Sequence, residues 1–207
     1  MSEATGDLQR LADLAASLRP RLPAAKPLPR LIFVTDPDRT PDPAAVAMRL
    51  PAGSGVIYRA FGAADALEQA AWLAAIARAR GLVLLIGADA VLADAVGAGG
   101  VHLPERDLGR ADSLKAAHPE WIVTGAAHSL EAARLAAEFG CDAVLASTVF
   151  PSASASAGTP MGADGFAAFV AAAPLPVYAL GGVNVKTARE LVSSGAAGFA
   201  MVEGLRT

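Results

Sequence analysis

Eight short apolar runs, seven of them followed by a helix-like stretch, limit what this chain can fold into. The runs are Leu31–Thr35, Val56–Ala60, Leu82–Ile86, Gly100–Leu103, Trp121–Thr124, Ala143–Ala146, Val177–Leu180 and Gly198–Val202. They are continuously apolar rather than alternating, the pattern of strands covered on both faces. Between them the periodicity predicts helices over Pro43–Leu50, Ala63–Arg80, Ala90–Gly97, Gly109–His118, Leu130–Phe139, Ala163–Ala172 and Val185–Ser194. Strand–helix alternation with short connections calls for a parallel sheet, because parallel neighbours need a crossover between them. Eight strands point to a closed (β/α)8 TIM barrel, with an open doubly wound sheet as the competing architecture.

No helix pattern follows the eighth run, so the expectation is a barrel lacking its last helix. A substitute stands at the other end of the chain. Leu8, Leu11, Leu14, Ala15 and Leu18 recur at helical spacing. The segment 8–18 is therefore predicted to cover the gap beside the first and eighth strands. Residues 20–30 carry too many prolines for a helix and read as an extended strap. The chain thus divides into an N-terminal helix and strap, 1–30, and a barrel, 31–207. The incomplete helix ring and the apolar surface tolerate a homodimer.

The content is 54% hydrophobic, which supports a large core and excludes disorder. An uncharged window, Gly165–Val183, has the hydropathy of a membrane span, but Pro174 and Pro176 break it into a helix end and a strand start. No secretory leader pattern is visible, and the single Cys141 fits a reducing cytoplasm and reads as a buried structural thiol. A net charge of −3 gives no pull toward nucleic acid or an anionic membrane.

The strongest functional signal is the turn after the seventh run, Gly181-Gly182, with Glu203-Gly204 after the eighth. Glycine turns late in a barrel let backbone N–H groups approach a phosphate with no Cβ in the way. Other strand-end residues are candidates because barrel chemistry sits on the loops that follow the strands. Arg59 reads as an anion-binding cation or a structural ion pair, and His102 as a catalyst or a hydrogen-bonded wall residue. Asp107 reads as a metal ligand or a helix N-cap. Ser129 reads first as a helix N-cap beside the loop residue His128, and Asp89 as the cap of the third barrel helix. Ser152–Gly158 is a low-complexity loop, either a lid or a slack connection.

Three strings carry a family resemblance in their order and spacing: GAGGVHLPERDL (97–108), GAAHSLEAARLAAEFGCDAVLASTVFPSAS (125–154) and ALGGVNVKTARELVSSGAAGFAMVEGL (179–205). Together they resemble thiamine phosphate synthase and its relative, the thiazole tautomerase, over residues 31–205. The resemblance implies a (β/α)8 barrel that couples hydroxymethylpyrimidine pyrophosphate to a thiazole phosphate, using Mg²⁺. It implies that Gly182, with the turn Val202, Glu203 and Gly204, holds the thiazole phosphate, with Ser152 and Ser154 where the family has two threonines; the glycine-turn reading adds Gly181 to these phosphate-binding candidates. It matches Arg59 to the family's arginine after the second strand and Asp107 to one of two magnesium-binding aspartates; Arg59 and His102 are the candidate catalytic residues.

The departures cluster on the other half of the site. The family's Gln-x-Arg-x-Lys is Ile57-Tyr58-Arg59-Ala60-Phe61 here, and its Asn-Asp after the third strand is Gly87-Ala88. Ala127 and Ala155 replace a serine and a second lysine, Glu203 replaces a serine, and Thr148 stands where the tautomerase has a histidine. Each charge-assisted hydrogen bond to phosphate is worth about 1.5–3 kcal/mol. Losing two lysines and a metal ligand forfeits on the order of 5 kcal/mol, thousands-fold in rate. The expectation is a divergent member with a degenerate pyrophosphate site that still binds a small phosphorylated heterocycle. The alternatives are a repurposed or non-catalytic phosphate-binding barrel, or a barrel isomerase using His102, Asp107 and His128.

Overall fold

The computed structural model describes residues 3–152 and 158–202. Eight parallel strands close into a barrel in sequence order: β1 (Leu31–Val34), β2 (Gly55–Tyr58), β3 (Val83–Gly87), β4 (Gly100–Leu103), β5 (Ile122–Ala127), β6 (Ala143–Ala146), β7 (Val177–Ala179) and β8 (Gly198–Met201). β1 closes the ring on β8 with Leu31 opposite Phe199 and Ile32 opposite Ala200. The open doubly wound alternative is thereby excluded.

Helices α2 (Pro43–Ala47), α3 (Ala66–Arg80), α4 (Ala90–Val96), α5 (Ala111–Ala117), α6 (Leu130–Glu138), α7 (Gly162–Ala172) and α8 (Val185–Glu190) alternate with the strands. Side chains of successive strand residues point to opposite sides, so the continuous apolar runs fill two cores. Ile57, Leu85, Leu145 and Tyr178 pack inside the barrel, while Phe33, Val56, Ile86 and Phe199 belong to the layer between strands and helices. Cys141 belongs to that outer layer, and burial pushes its thiol up to about 12. The uncharged window after residue 165 splits into α7 and β7 on either side of its prolines, and no described helix is long and apolar enough to cross a membrane.

A first helix, α1 (Glu3–Ser17), lies against β1 and α8. Its Leu8, Leu11 and Ala15, with Leu18 just beyond, are buried in the outer core. The strap that follows is tied across the underside of the barrel: Arg21 Nε donates to the Val170 carbonyl at 2.9 Å and Lys26 Nζ to the Pro119 carbonyl at 2.7 Å.

Several element ends differ from the sequence expectation, and two of the differences change how a residue is read. β5 runs on through Gly125 to Ala127, where the sequence reading stops at Thr124. Gly125 is not a breaker there. A Cβ on it would lie 2.4 Å from Leu108 Cδ2, so its bareness seats that leucine. Leu108 belongs to a 3-10 helix, Glu105–Arg110, that precedes α5. Asp107 lies in the first turn of this 3-10 helix and is not an N-cap; Pro104 occupies that position.

Candidate functional site

The C-terminal ends of β6, β7 and β8 enclose a cavity of about 340 Å³. Pro151 and Ser152 line it from after β6, Leu180 to Asn184 from after β7, Met201 and Val202 from β8, and Arg39 from the loop after β1. Two loops meet here at backbone distance. Val149 N–H donates to the Leu180 carbonyl and Phe150 N–H to the Gly181 carbonyl, both at 3.0 Å. The approach needs glycine: Gly182 has φ +64°, and a Cβ on it would lie 2.6 Å from the Pro151 carbonyl oxygen. The Gly182 carbonyl accepts from Thr187 Oγ1 at 2.9 Å, while Asn184 caps α8 by accepting from the amides of Lys186 and Thr187. The carbonyls of Gly181 and Gly182 are thus occupied. The amides of Gly181, Gly182 and Val183 meet no acceptor among the described residues. No acidic side chain of the described residues lines the cavity.

Arg59 and His102 lie on the other side of the mouth. Arg59 is turned back onto the end of β1: its Nε donates to the Thr35 carbonyl at 2.7 Å and its Nη2 to Asp36 Oδ2 at 3.1 Å. Its stem crosses Gly87, where a Cβ would press on Arg59 Cγ at 3.2 Å. Burial lowers its pKa below the usual guanidinium value while the Asp36 charge works the other way. His102 alternates with the outward Val101 and Leu103, so its ring faces the barrel axis. Its Nδ1 is 3.0 Å from Oγ1 of buried Thr124. Burial first, and the Arg59 charge second, push its pKa down to about 4, so the ring is neutral at pH 7.

That shift has a sign. The folded chain favours neutral His102, so the stabilisation is complete above the unfolded value of 6.5 and is lost as pH falls toward about 4. Stability is expected to drop by about 2–3 kcal/mol across that window from this residue, slightly less than the full shift because the ring is partly exposed. Urea unfolding between pH 7 and 4 measures it. His102→Gln should flatten the slope, and an unchanged slope would contradict the assignment.

The remaining candidates stand apart. Asp107 has Arg106 Nε at 3.9 Å as its charged neighbour. His128 is held at the rim by Glu105, whose Oε2 accepts from its backbone N–H at 2.9 Å and lies 2.8 Å from Nδ1. Ser129 caps α6 and Asp89 caps α4. His102, Asp107 and His128 share no hydrogen bond, and none of them lines the cavity. Ser154, Glu203, Gly204 and most of the low-complexity loop fall outside the described residues. Arg39 and Asp36 were not singled out from the sequence.

A family model described as thiamine monophosphate synthase matches residues 31–205, the whole barrel. The chain belongs to this family. A curated relative, the thiamine biosynthesis bifunctional protein ThiM/ThiE of Symbiobacterium thermophilum, is 34% identical over 140 residues, covering 67% of this chain and 29% of that protein. This thiamine monophosphate synthase family member therefore spans under a third of that relative's length. The thiamine-phosphate synthase of Chlorobium luteolum is 31% identical over 182 residues, covering 86% of this chain and 85% of its own. Among solved structures, the thiamine phosphate pyrophosphorylase from Pyrococcus furiosus superposes with a TM-score of 0.72 at 26% identity, over 84% of this chain and 85% of that one.

Proposed function

We propose that the cavity at the ends of β6, β7 and β8 binds the phosphate of a small phosphorylated heterocycle, a thiazole phosphate, and that the half of the site serving a pyrimidine pyrophosphate is degenerate. The observation that carries this reading is the row of amides at Gly181, Gly182 and Val183, without a protein acceptor among the described residues, on the wall of a cavity that holds no described acid. Backbone N–H groups without side chains in the way are a recurrent anion cradle. Ser152 and Val202 line the same cavity, and Ser154, Glu203 and Gly204 are assigned to the same phosphate by the family resemblance.

The degenerate half is argued from the side chains that remain. Arg59 is tied to Thr35 and Asp36 beside a bare Gly87, so one guanidinium stands where a diphosphate leaving group needs several cations. His102 is neutral at pH 7 and hydrogen-bonded to Thr124, which suits it to donate or accept a hydrogen bond from a bound ring and not to neutralise a leaving group. Mg²⁺ is held by oxygen ligands arranged octahedrally around it. Asp107 supplies one carboxylate, and the described residues bring no group of three metal-ligating side chains together. Asp107 alone does not make a magnesium site, and no step is derived through the metal.

Calorimetric titration tests the binding half. Thiazole phosphate and inorganic phosphate should both bind, the heterocycle more tightly. A turnover assay with both substrates and Mg²⁺ tests the other half, with thiamine phosphate forming thousands-fold more slowly than in a relative that retains the lysines and aspartates. Absence of binding by either phosphate would overturn the first claim, and fast turnover the second.

A further inference from the structure

We infer that Arg39 is the cation that fixes the phosphate in the β6–β8 cavity, and that Asp36 is the positioning residue that sets Arg39 there while tethering Arg59 across the mouth. The inference rests on the reading of the cavity as a phosphate site.

Arg39 is the cationic side chain among the described residues that line the cavity. It arrives from the first βα loop, on the far side of β8 from the glycine turn, so it closes the cavity opposite the amides of Gly181 and Gly182. The chain's three lysines do not supply this charge. Lys115 Nζ lies 2.6 Å from Asp142 Oδ1 and Lys26 Nζ 4.0 Å from Oδ2, while Lys186 sits on α8 outside the cavity lining.

The loop that presents Arg39 is fixed in its backbone before its side chain is considered. Asp36 Oδ1 accepts from the amides of Asp38 at 3.2 Å and Arg39 at 3.1 Å. Thr40 closes the turn: its N–H and its Oγ1 both donate to the Asp36 carbonyl, and Oγ1 accepts from the Asp36 N–H at 3.0 Å. The other carboxylate oxygen, Oδ2, then receives Arg39 Nη2 at 2.8 Å and Arg59 Nη2 at 3.1 Å. The hydrogen bond from Arg39 holds the Asp36 carboxyl below its ordinary value, so it stays ionised.

A guanidinium presents five N–H donors in a planar fork, so one can serve a carboxylate and a phosphate oxygen together. One such fork facing three backbone amides suits a single phosphoryl group, a phosphomonoester. Asp36 also gives the two halves of the mouth a common anchor, since the same oxygen receives the arginine of each.

Inorganic phosphate titrated calorimetrically into the full chain is the test. Arg39→Met should weaken binding about 10- to 100-fold, and Arg39→Lys, which keeps the charge and loses the fork, should recover part of that. Asp36→Asn should weaken binding in the wild-type background and have no further effect in Arg39→Met, because a residue that acts through Arg39 is silent once Arg39 is gone. Thermal unfolding confirms that each variant is folded. Equal affinity in wild type and Arg39→Met would overturn the inference while leaving the cavity a phosphate site. An additive loss in the double variant would overturn the role of Asp36. No phosphate binding by the wild type would remove the cavity reading itself, and this inference with it.

Discussion

Gly182→Val is expected to abolish phosphate binding and to lower stability by about 2–5 kcal/mol while leaving a cooperative fold. Gly182 sits at φ +64°, which a β-branched residue does not tolerate. A left-handed conformation costs an L-residue about 1–2 kcal/mol. The new side chain also meets Pro151 carbonyl oxygen at 2.6 Å and Phe150 Cβ at 2.7 Å, so the loop after β6 has to move away. That loop carries Ser152, which lines the cavity beside the glycine turn. The substitution therefore disturbs two neighbouring loops of the proposed cradle at once. Calorimetry with inorganic phosphate, paired with thermal unfolding by circular dichroism, separates the two effects. Retained affinity in a folded variant would show that the amides after β7 do not hold the ligand.

Gly100→Ala should cost about 3–5 kcal/mol in stability without altering the cavity. Gly100 opens β4 at φ +148°, directly opposite Ile122 in β5. A Cβ there would lie 2.0 Å from the Ile122 carbonyl oxygen and 2.7 Å from its nitrogen. Both are backbone atoms of a paired strand, so no side-chain rotation relieves the contact, and the β4–β5 ladder has to slip or open. Urea unfolding gives the number, and phosphate titration below the transition checks that the cavity at the opposite end of the ring persists. A loss under about 1 kcal/mol would contradict this register of β4 against β5.

The barrel was legible because its strands are covered on both faces. Continuous apolar runs at regular spacing have few other parallel solutions, and the amphipathic spacing of Leu8, Leu11 and Ala15 marked the helix that lies against β1 and α8. Gly125 was read as an end when it is a socket for Leu108, since a glycine's neighbour across the layer is invisible in a linear pattern. The glycine turn after β7 stood out for the same reason glycine always does, its tolerance of conformations that other residues avoid. Arg59 could be seen as a cation but not its partner: Asp36 lies 23 residues earlier and comes beside it because β1 and β2 pair in parallel. Arg39 was hidden more fully. Its turn, with aspartate, proline and threonine, looks like ordinary loop chemistry, and only ring closure of β1 on β8 carries it to the glycine cavity. The lysines stay away from this cavity, since Lys26 and Lys115 pair with Asp142, and the cation that lines it is Arg39.

A crystal structure of the chain grown with thiazole phosphate puts the phosphate site itself on trial. The expected density is a phosphoryl group within hydrogen-bonding distance of the Gly182 and Val183 amides, with the Arg39 guanidinium on its far side and the heterocycle extending toward His102. A ligand seated elsewhere, or a phosphoryl group in the cavity with those amides turned from it, would contradict the account.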